Sequence, residues 1–321
     1  MITAEGLTMH YGGGVVALNK ASFQVNEGEV VGLLGPNGAG KSTAMKIITT
    51  YLYPTAGKAS VGGKSVLDEP MAVRKLIGYL PEVLPLYRDM EVGAYLKFVG
   101  RARGLSGRAL RERLGWVREA CGLAPTFKKI IRELSKGFRQ RTALAQALIH
   151  DPKVVILDEP TSGLDPHQIM EIRRLVLEMA KSKTVMISTH ILQEAEAISD
   201  RIIIISQGRI VADGALDQLR TKAMEGERVE VTLTAPRIEA EAALSGIPGV
   251  RKVSVIADKG GSLSFRVEAA LGKNVMREIG LLAAAKRWSV TELRNHPFSL
   301  EETFLALTEA EAGTKAKGEA A

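Results

Sequence analysis

The segment GPNGAGKST at residues 35–43 places Gly35, Gly40, Lys41 and Ser42 at the spacing of a phosphate-binding loop. Glycines let the main chain approach phosphate oxygens without a side-chain clash. Lys41 offers an ammonium to the outer phosphates, and the Ser42 hydroxyl can ligate magnesium. Pro36, Asn37, Gly38, Ala39 and Thr43 complete the loop. It follows an apolar run at 29–34 that reads as a strand, and it opens a helical pattern at 42–50. Free backbone N–H groups and the helix dipole therefore converge on an anion.

A second run, VVILDEP at 154–160, ends four apolar residues with Asp158 and Glu159. Open α/β sheets place their ligands at such carboxyl ends. Asp158 suits a magnesium water shell, and Glu159 suits polarising a water in line with a terminal phosphate.

These residues need a scaffold, and the chain supplies alternating patterns. Strands are expected at 29–34, 153–157, 184–188 and 201–206, with helices at 42–50, 166–181 and 192–198 between them. That alternation argues for an α/β fold with a mainly parallel sheet in a first domain, 1–220. The stretch 85–150 interrupts it with helix-forming residues and reads as an inserted helical subdomain. Beyond 225 the order becomes βαββαβ, which predicts a small ferredoxin-like α+β domain over 225–310. Leu300, Phe304 and Leu307 recur at helical spacing and would close it, and 311–321 reads as a disordered tail.

Composition sets outer limits. A length of 321 residues suits two domains, and a 45% hydrophobic, 25% charged chain is ordinary for a globular protein. The single cysteine, Cys121, cannot form an internal disulfide, and the 5 histidines show no metal-ligand spacing with it. No apolar run reaches the roughly 18 residues that span a bilayer, and the N-terminus lacks the order of a secretory signal. The net charge of +7 concentrates between Arg101 and Arg141, as a solvated helical face or a contact for anions.

Taken in order over residues 2–215, these motifs resemble the ATP-binding cassette superfamily. Tyr11 in HYGGGVVAL, ELSKGFRQR at 133–141, SGLDP at 162–166 and ISTH at 187–190 extend the likeness. The resemblance implies ATP and Mg2+ as cofactors and an antiparallel β-subdomain beside the parallel sheet. Tyr11 would stack on adenine. Ser135 and Gly137 would reach across a head-to-tail homodimer to the partner's nucleotide, and Asp165 would belong to the dimer-contact loop. Lys41, Glu159 and His190 would be catalytic, with His190 sensing the γ-phosphate. Ser42, Asp158 and Glu82 would serve the metal.

The sequence departs from the commonest family pattern in two places. Glu82 in GYLPE stands where many members carry glutamine, and Lys136 and Phe138 replace glycine and glutamine in the signature loop. Those variants, with LPEVLPLY and SLEETFLALTE, look like bacterial exporter ATPases of the gliding-motility, multidrug and sodium-export type. The implied partners are separately encoded integral-membrane permease subunits, with no specific nucleic acid. The implied location is the cytoplasmic face of the inner membrane, held peripherally. A cassette acting on ribosomes or DNA, and a nucleotide-binding regulator with little turnover, are the alternatives.

Overall fold

The computed structural model describes residues 1–216, 218–219, 227–259, 262–270 and 273–295. The expected helix at 300–307 and the expected tail at 311–321 lie outside them. The chain divides into two compact units, Met1–Leu216 and Asp217–Ala321.

In the first unit a six-stranded sheet comprises β3 (Val30–Leu34), β6 (Ile77–Leu80), β7 (Val154–Asp158), β8 (Thr184–Thr189), β9 (Arg201–Ser206) and β10 (Arg209–Gly214). Its order is β10-β9-β3-β8-β7-β6, parallel except where β10 returns antiparallel to β9. Every residue of β3, β7 and β8 is buried, as a parallel sheet covered on both faces requires. This order sets the carboxyl ends of β3, β8 and β7 side by side, which is the arrangement that gathers a ligand site.

A second, antiparallel sheet holds β1 (Ile2–His10), β2 (Val16–Val25), β4 (Ala56–Val61) and β5 (Lys64–Ser65) in the order β2-β1-β4-β5. Helix α1 (Lys41–Ile48) buries Ala44, Met45, Ile47 and Ile48 in a core shared by both sheets. Helix α2 (Pro70–Leu76) leads directly into β6. The helices α3 (Val92–Ala102), α4 (Gly107–Ala120) and α5 (Lys136–Leu148) form the insertion. Leu96, Val117, Leu144 and Leu148 pack with Val155 and Leu157 of β7, so the insertion rests on the sheet through a continuous apolar core. Helices α6 (Pro166–Ala180) and α7 (Leu192–Ile198) flank β8.

The second unit runs β11 (Glu227–Thr234), α8 (Arg237–Ser245), β12 (Val250–Lys259), β13 (Ser262–Ala269), α9 (Val275–Lys286) and β14 (Ser289–Asn295). Its sheet order, β12-β13-β11-β14 with all neighbours antiparallel, is the ferredoxin-like order. Strict alternation in β13 buries Leu263, Phe265 and Val267 beside Leu244 and Ile279 of the helices. Among the described residues, no helix is long and apolar enough to cross a membrane.

One half-buried histidine in the first unit gives the fold a pH dependence. His150 Nε2 lies 3.0 Å from the Ile77 carbonyl and must donate to it, which leaves Nδ1 buried without a partner. Burial first, and then the charge of Arg103, push its pKa down to about 4. At pH above 6.5 the ring is neutral whether the chain is folded or unfolded. As pH falls from 6.5 towards 4, the unfolded chain takes up a proton that the folded one refuses, so stability is lost across that window. Denaturant midpoints of the parent should fall between pH 7 and pH 4.5 by more than those of His150→Gln, whose amide can still donate to Ile77.

Candidate nucleotide site

The loop between β3 and α1 is shaped by its glycines. A methyl group at Gly35 would press into the carbonyl oxygen of Ile205, and one at Gly40 would lie 2.5 Å from the carbonyl oxygen of Ala17. Gly38 and Gly40 have φ of 80° and 108°, a region that favours glycine. With no side-chain cap at Gly40, the opening amides of α1 are left for an anion.

Lys41 is only 6% exposed. Its ammonium donates to the carbonyls of Gly35 (2.7 Å) and Pro36 (3.2 Å), 3.5 Å from Glu159 Oε1. The Ser42 hydroxyl donates to Asp158 Oδ1 at 3.1 Å. That pair of hard oxygens, one neutral and one anionic, is the donor set magnesium prefers when phosphates complete its octahedron.

Asp158 and Glu159 are fixed from the neighbouring strand. The register pairs Asp158 with Ser188, whose hydroxyl donates to Asp158 Oδ1 (2.5 Å) and accepts the Glu159 amide (3.0 Å). This link holds Glu159 at φ 49°, a strained left-handed conformation of the kind that persists where surroundings over-determine it. The turn sends the Glu159 carboxylate to His190, whose Nδ1 lies 3.0 Å from both of its oxygens. With Nδ1 engaged by the carboxylate, Nε2 is the remaining hydrogen-bonding atom of the His190 ring.

A cavity of about 550 Å³ collects these groups. Asn37 to Thr43 line it, with Glu82, Glu159, Ser162 and His190, and Tyr11, Val15 and Val16 line it as well. The Tyr11 hydroxyl meets Thr43 Oγ1 at 3.4 Å, leaving its ring partly exposed as a stacking surface. Three of the expected residues lie elsewhere. Ser135 caps α5 by accepting the Phe138 amide at 3.4 Å, Asp165 caps α6 by accepting the Gln168 amide at 2.9 Å, and a methyl at Gly137 would meet Gln168 Oε1 at 2.6 Å. They form a separate patch gathered on α5, α6 and Gln168.

The sequence pattern alone missed a buried support behind this cavity. The Glu194 carboxylate, 5% exposed, accepts from Thr161 Oγ1 at 2.6 Å and Thr189 Oγ1 at 3.0 Å. It thereby fixes the segment after Glu159 and the segment before His190 to the same helix, α7. Gln140 of α5 donates to the Pro160 carbonyl at 2.8 Å, tying the insertion to the same turn. A polar residue on the inner face of a short helix, Glu194 on α7, was the available signal.

The sequence profile described as "ABC transporter" matches residues 18–162, and one described as "AAA domain, putative AbiEii toxin, Type IV TA system" matches residues 130–195. The uncharacterized ABC transporter ATP-binding protein YxlF of Bacillus subtilis (strain 168) is 43% identical over 204 residues, 64% of this chain and 68% of that protein. The daunorubicin resistance ATP-binding protein DrrA3 of Streptomyces coeruleorubidus is 36% identical over 313 residues, 96% of this chain and 95% of that protein. The chain belongs to the ABC transporter ATP-binding family. Its fold agrees with that of a solved ATP-binding cassette, the dimeric post-hydrolysis state of MJ0796 bound to ADP and Pi. The TM-score there is 0.63 and the identity 26%, over 67% of this chain and 99% of that one. The cassette is thus an ATPase of that family, and the match to DrrA3 runs the length of both units.

Two glycines of the cassette should respond differently to alanine. At Gly35 the obstacle is a backbone carbonyl, so the loop must shift; Gly35→Ala should bind ATP about tenfold or more weaker and melt several degrees lower. At Gly137 the obstacle is the tip of Gln168, which can swing away, so the Gly137→Ala melting temperature should stay within about a degree of the parent. Calorimetric melting and titration with a fluorescent ATP analogue measure both.

Proposed function

We propose that this chain is the ATP-hydrolysing subunit of an ABC exporter, energising separately encoded membrane subunits through ATP-driven closure of a homodimer. The observation that carries it is the grouping of Lys41, Glu159 and His190 around one cavity over a phosphate loop. Lys41 and the loop amides hold the β and γ phosphates, and Tyr11 stacks on the base. Glu159 accepts a proton from the attacking water while His190, anchored on that carboxylate, orients it and contacts the γ-phosphate. Ser42 and Asp158 hold Mg2+, with Glu82 beside it, and the ion supplies charge neutralisation on the phosphate oxygens. The bond from the γ-phosphorus to the leaving oxygen breaks as water oxygen bonds to phosphorus, giving ADP and phosphate.

Ser135, Gly137 and Asp165 take part only from a second subunit, since in their own chain they sit apart from the cavity. This supports two composite sites per dimer. Gly137→Ala, with its unchanged stability, should therefore lose ATPase activity while each monomer still binds ATP. Export as the direction is supported by the drug-resistance relative, and the groove near Glu82–Tyr87 is the proposed grip on a cytoplasmic helix of the membrane partner. Association with that partner is what would place the chain at the cytoplasmic face of the inner membrane. Co-expression with the six-helix membrane protein of a neighbouring gene tests the assignment. Co-purification and ATPase stimulation are expected, and retention on DNA or RNA instead would overturn it.

A further inference from the structure

Away from the nucleotide cavity, a small cavity of about 170 Å³ opens where α1, α2, β6 and the end of α3 meet. Thr50, Tyr51, Arg74, Tyr79 and Arg103 line it. Two of these are guanidinium groups with no carboxylate partner among the described residues. Arg103 spends one N–H on the Arg74 carbonyl at 2.7 Å. Arg74 donates through Nε to Thr50 Oγ1 (2.6 Å) and through Nη2 to the Thr50 carbonyl (3.2 Å), with Nη1 only 3.9 Å from the Met71 sulfur. A guanidinium has five N–H donors, so several remain to spend. The third feature is the Tyr79 hydroxyl, buried and without a hydrogen-bond partner.

Each feature is costly by itself. A buried hydroxyl without a partner forfeits its hydration, and two neighbouring cations oppose each other. The Arg103 pKa is lowered, by burial first and then by Arg74. Burial and the charges of Asp158, Tyr51 and Glu82 raise that of Tyr79, so its hydroxyl stays protonated and is a donor. Those carboxylates also disfavour an anion, and the two guanidiniums must outweigh them.

We infer that this pocket is a second anion site, distinct from the ATP site, that takes a single phosphate group between Arg74, Arg103 and the Tyr79 hydroxyl. Donors arrive from three separate elements, and a phosphate group can give each of them an oxygen of its own, where a carboxylate has only two to share. The volume admits one small anion and is below the several hundred Å³ that a nucleotide needs. Arg103 follows the first helix of the insertion, whereas Arg74 and Tyr79 belong to α2 and β6. A phosphate held here clasps the insertion to the sheet. The group comes from free phosphate or from the headgroup of an anionic lipid.

The test uses the full chain with its ATP site filled by a non-hydrolysable ATP analogue, so that the phosphate loop cannot answer for the second site. Inorganic phosphate at constant ionic strength should raise the melting temperature saturably. Arg103→Gln and Tyr79→Phe should each weaken that response by about tenfold or more, the latter by removing a single oxygen. Retention by phosphatidylglycerol vesicles but not phosphatidylcholine vesicles, abolished in Arg103→Gln, with no response to free phosphate, assigns the group to lipid. A phosphate response and vesicle retention both unchanged in the two variants overturn the site. An equal response to acetate overturns the tetrahedral assignment.

Discussion

Glu159→Gln should still bind ATP but release phosphate on the order of 10² to 10⁴ times more slowly than the parent, the range lost when a positioned general base is removed. The substitution is nearly isosteric. Glutamine keeps an oxygen that His190 can reach, and the strained backbone is held by the Ser188 hydroxyl on the residue 159 amide, which the change leaves in place. What disappears is the negative charge 3.5 Å from the Lys41 ammonium, and with it the acceptor for a water proton. Binding should persist or tighten, because the lost carboxylate no longer opposes the γ-phosphate. Phosphate release and analogue titration, run on the same preparations, separate the two effects. Equal and negligible phosphate release from parent and variant would instead assign the chain as a regulator that binds nucleotide without turning it over.

The chemistry that the backbone itself performs was the most legible part of the sequence. Gly35 and Gly40 are needed because carbonyls of Ile205 and Ala17 crowd them, and no other residue type fits, so their spacing carries its meaning without the fold. The apolar runs were legible for a similar reason, since a strand covered on both faces has no polar alternative. Element ends were less so. The expected strand at 153–157 continues through Asp158 because that residue pairs with Ser188 in the ladder, and the expected helix at 42–50 stops at Ile48 because Thr50 adopts a φ of 62° under the grip of Arg74. Both outcomes depend on partners more than twenty residues away, which local pattern cannot supply.

The supporting polar contacts were hidden for the same reason. Ser188 acts only because the β7 and β8 register brings it opposite Asp158, and Glu194 only because α7 turns it towards two threonines. The signature-loop departures also gain a physical reading. Phe138, in place of a glutamine amide, packs on the core of the insertion and lies under the Arg141 guanidinium at 5.5 Å. The Lys136 ammonium covers Gly163, a position where any side chain would collide with it. The loop has exchanged polar contacts for packing within its own subunit.

Lys41→Ala should reduce ATP affinity by on the order of 10² to 10⁴-fold, because it removes the one ammonium inside the phosphate loop. Charge-assisted hydrogen bonds contribute about 1.5–3 kcal/mol each, and two of them to phosphate oxygens correspond to that range at about 1.4 kcal/mol per decade. Two further consequences follow from the geometry. The Gly35 and Pro36 carbonyls lose the donor that now joins them, so the loop loosens before any nucleotide arrives. Glu159, 7% exposed, loses its cationic neighbour and keeps only the contact to His190. A buried carboxylate deprived of its partner costs stability, so the nucleotide-free variant should melt lower than the parent. Titration with a fluorescent ATP analogue measures the affinity, and melting without nucleotide measures the loosening. Parent-like affinity in a folded variant would mean that the triphosphate is held by something other than this loop, and the roles argued for Glu159 and His190 would fall with it.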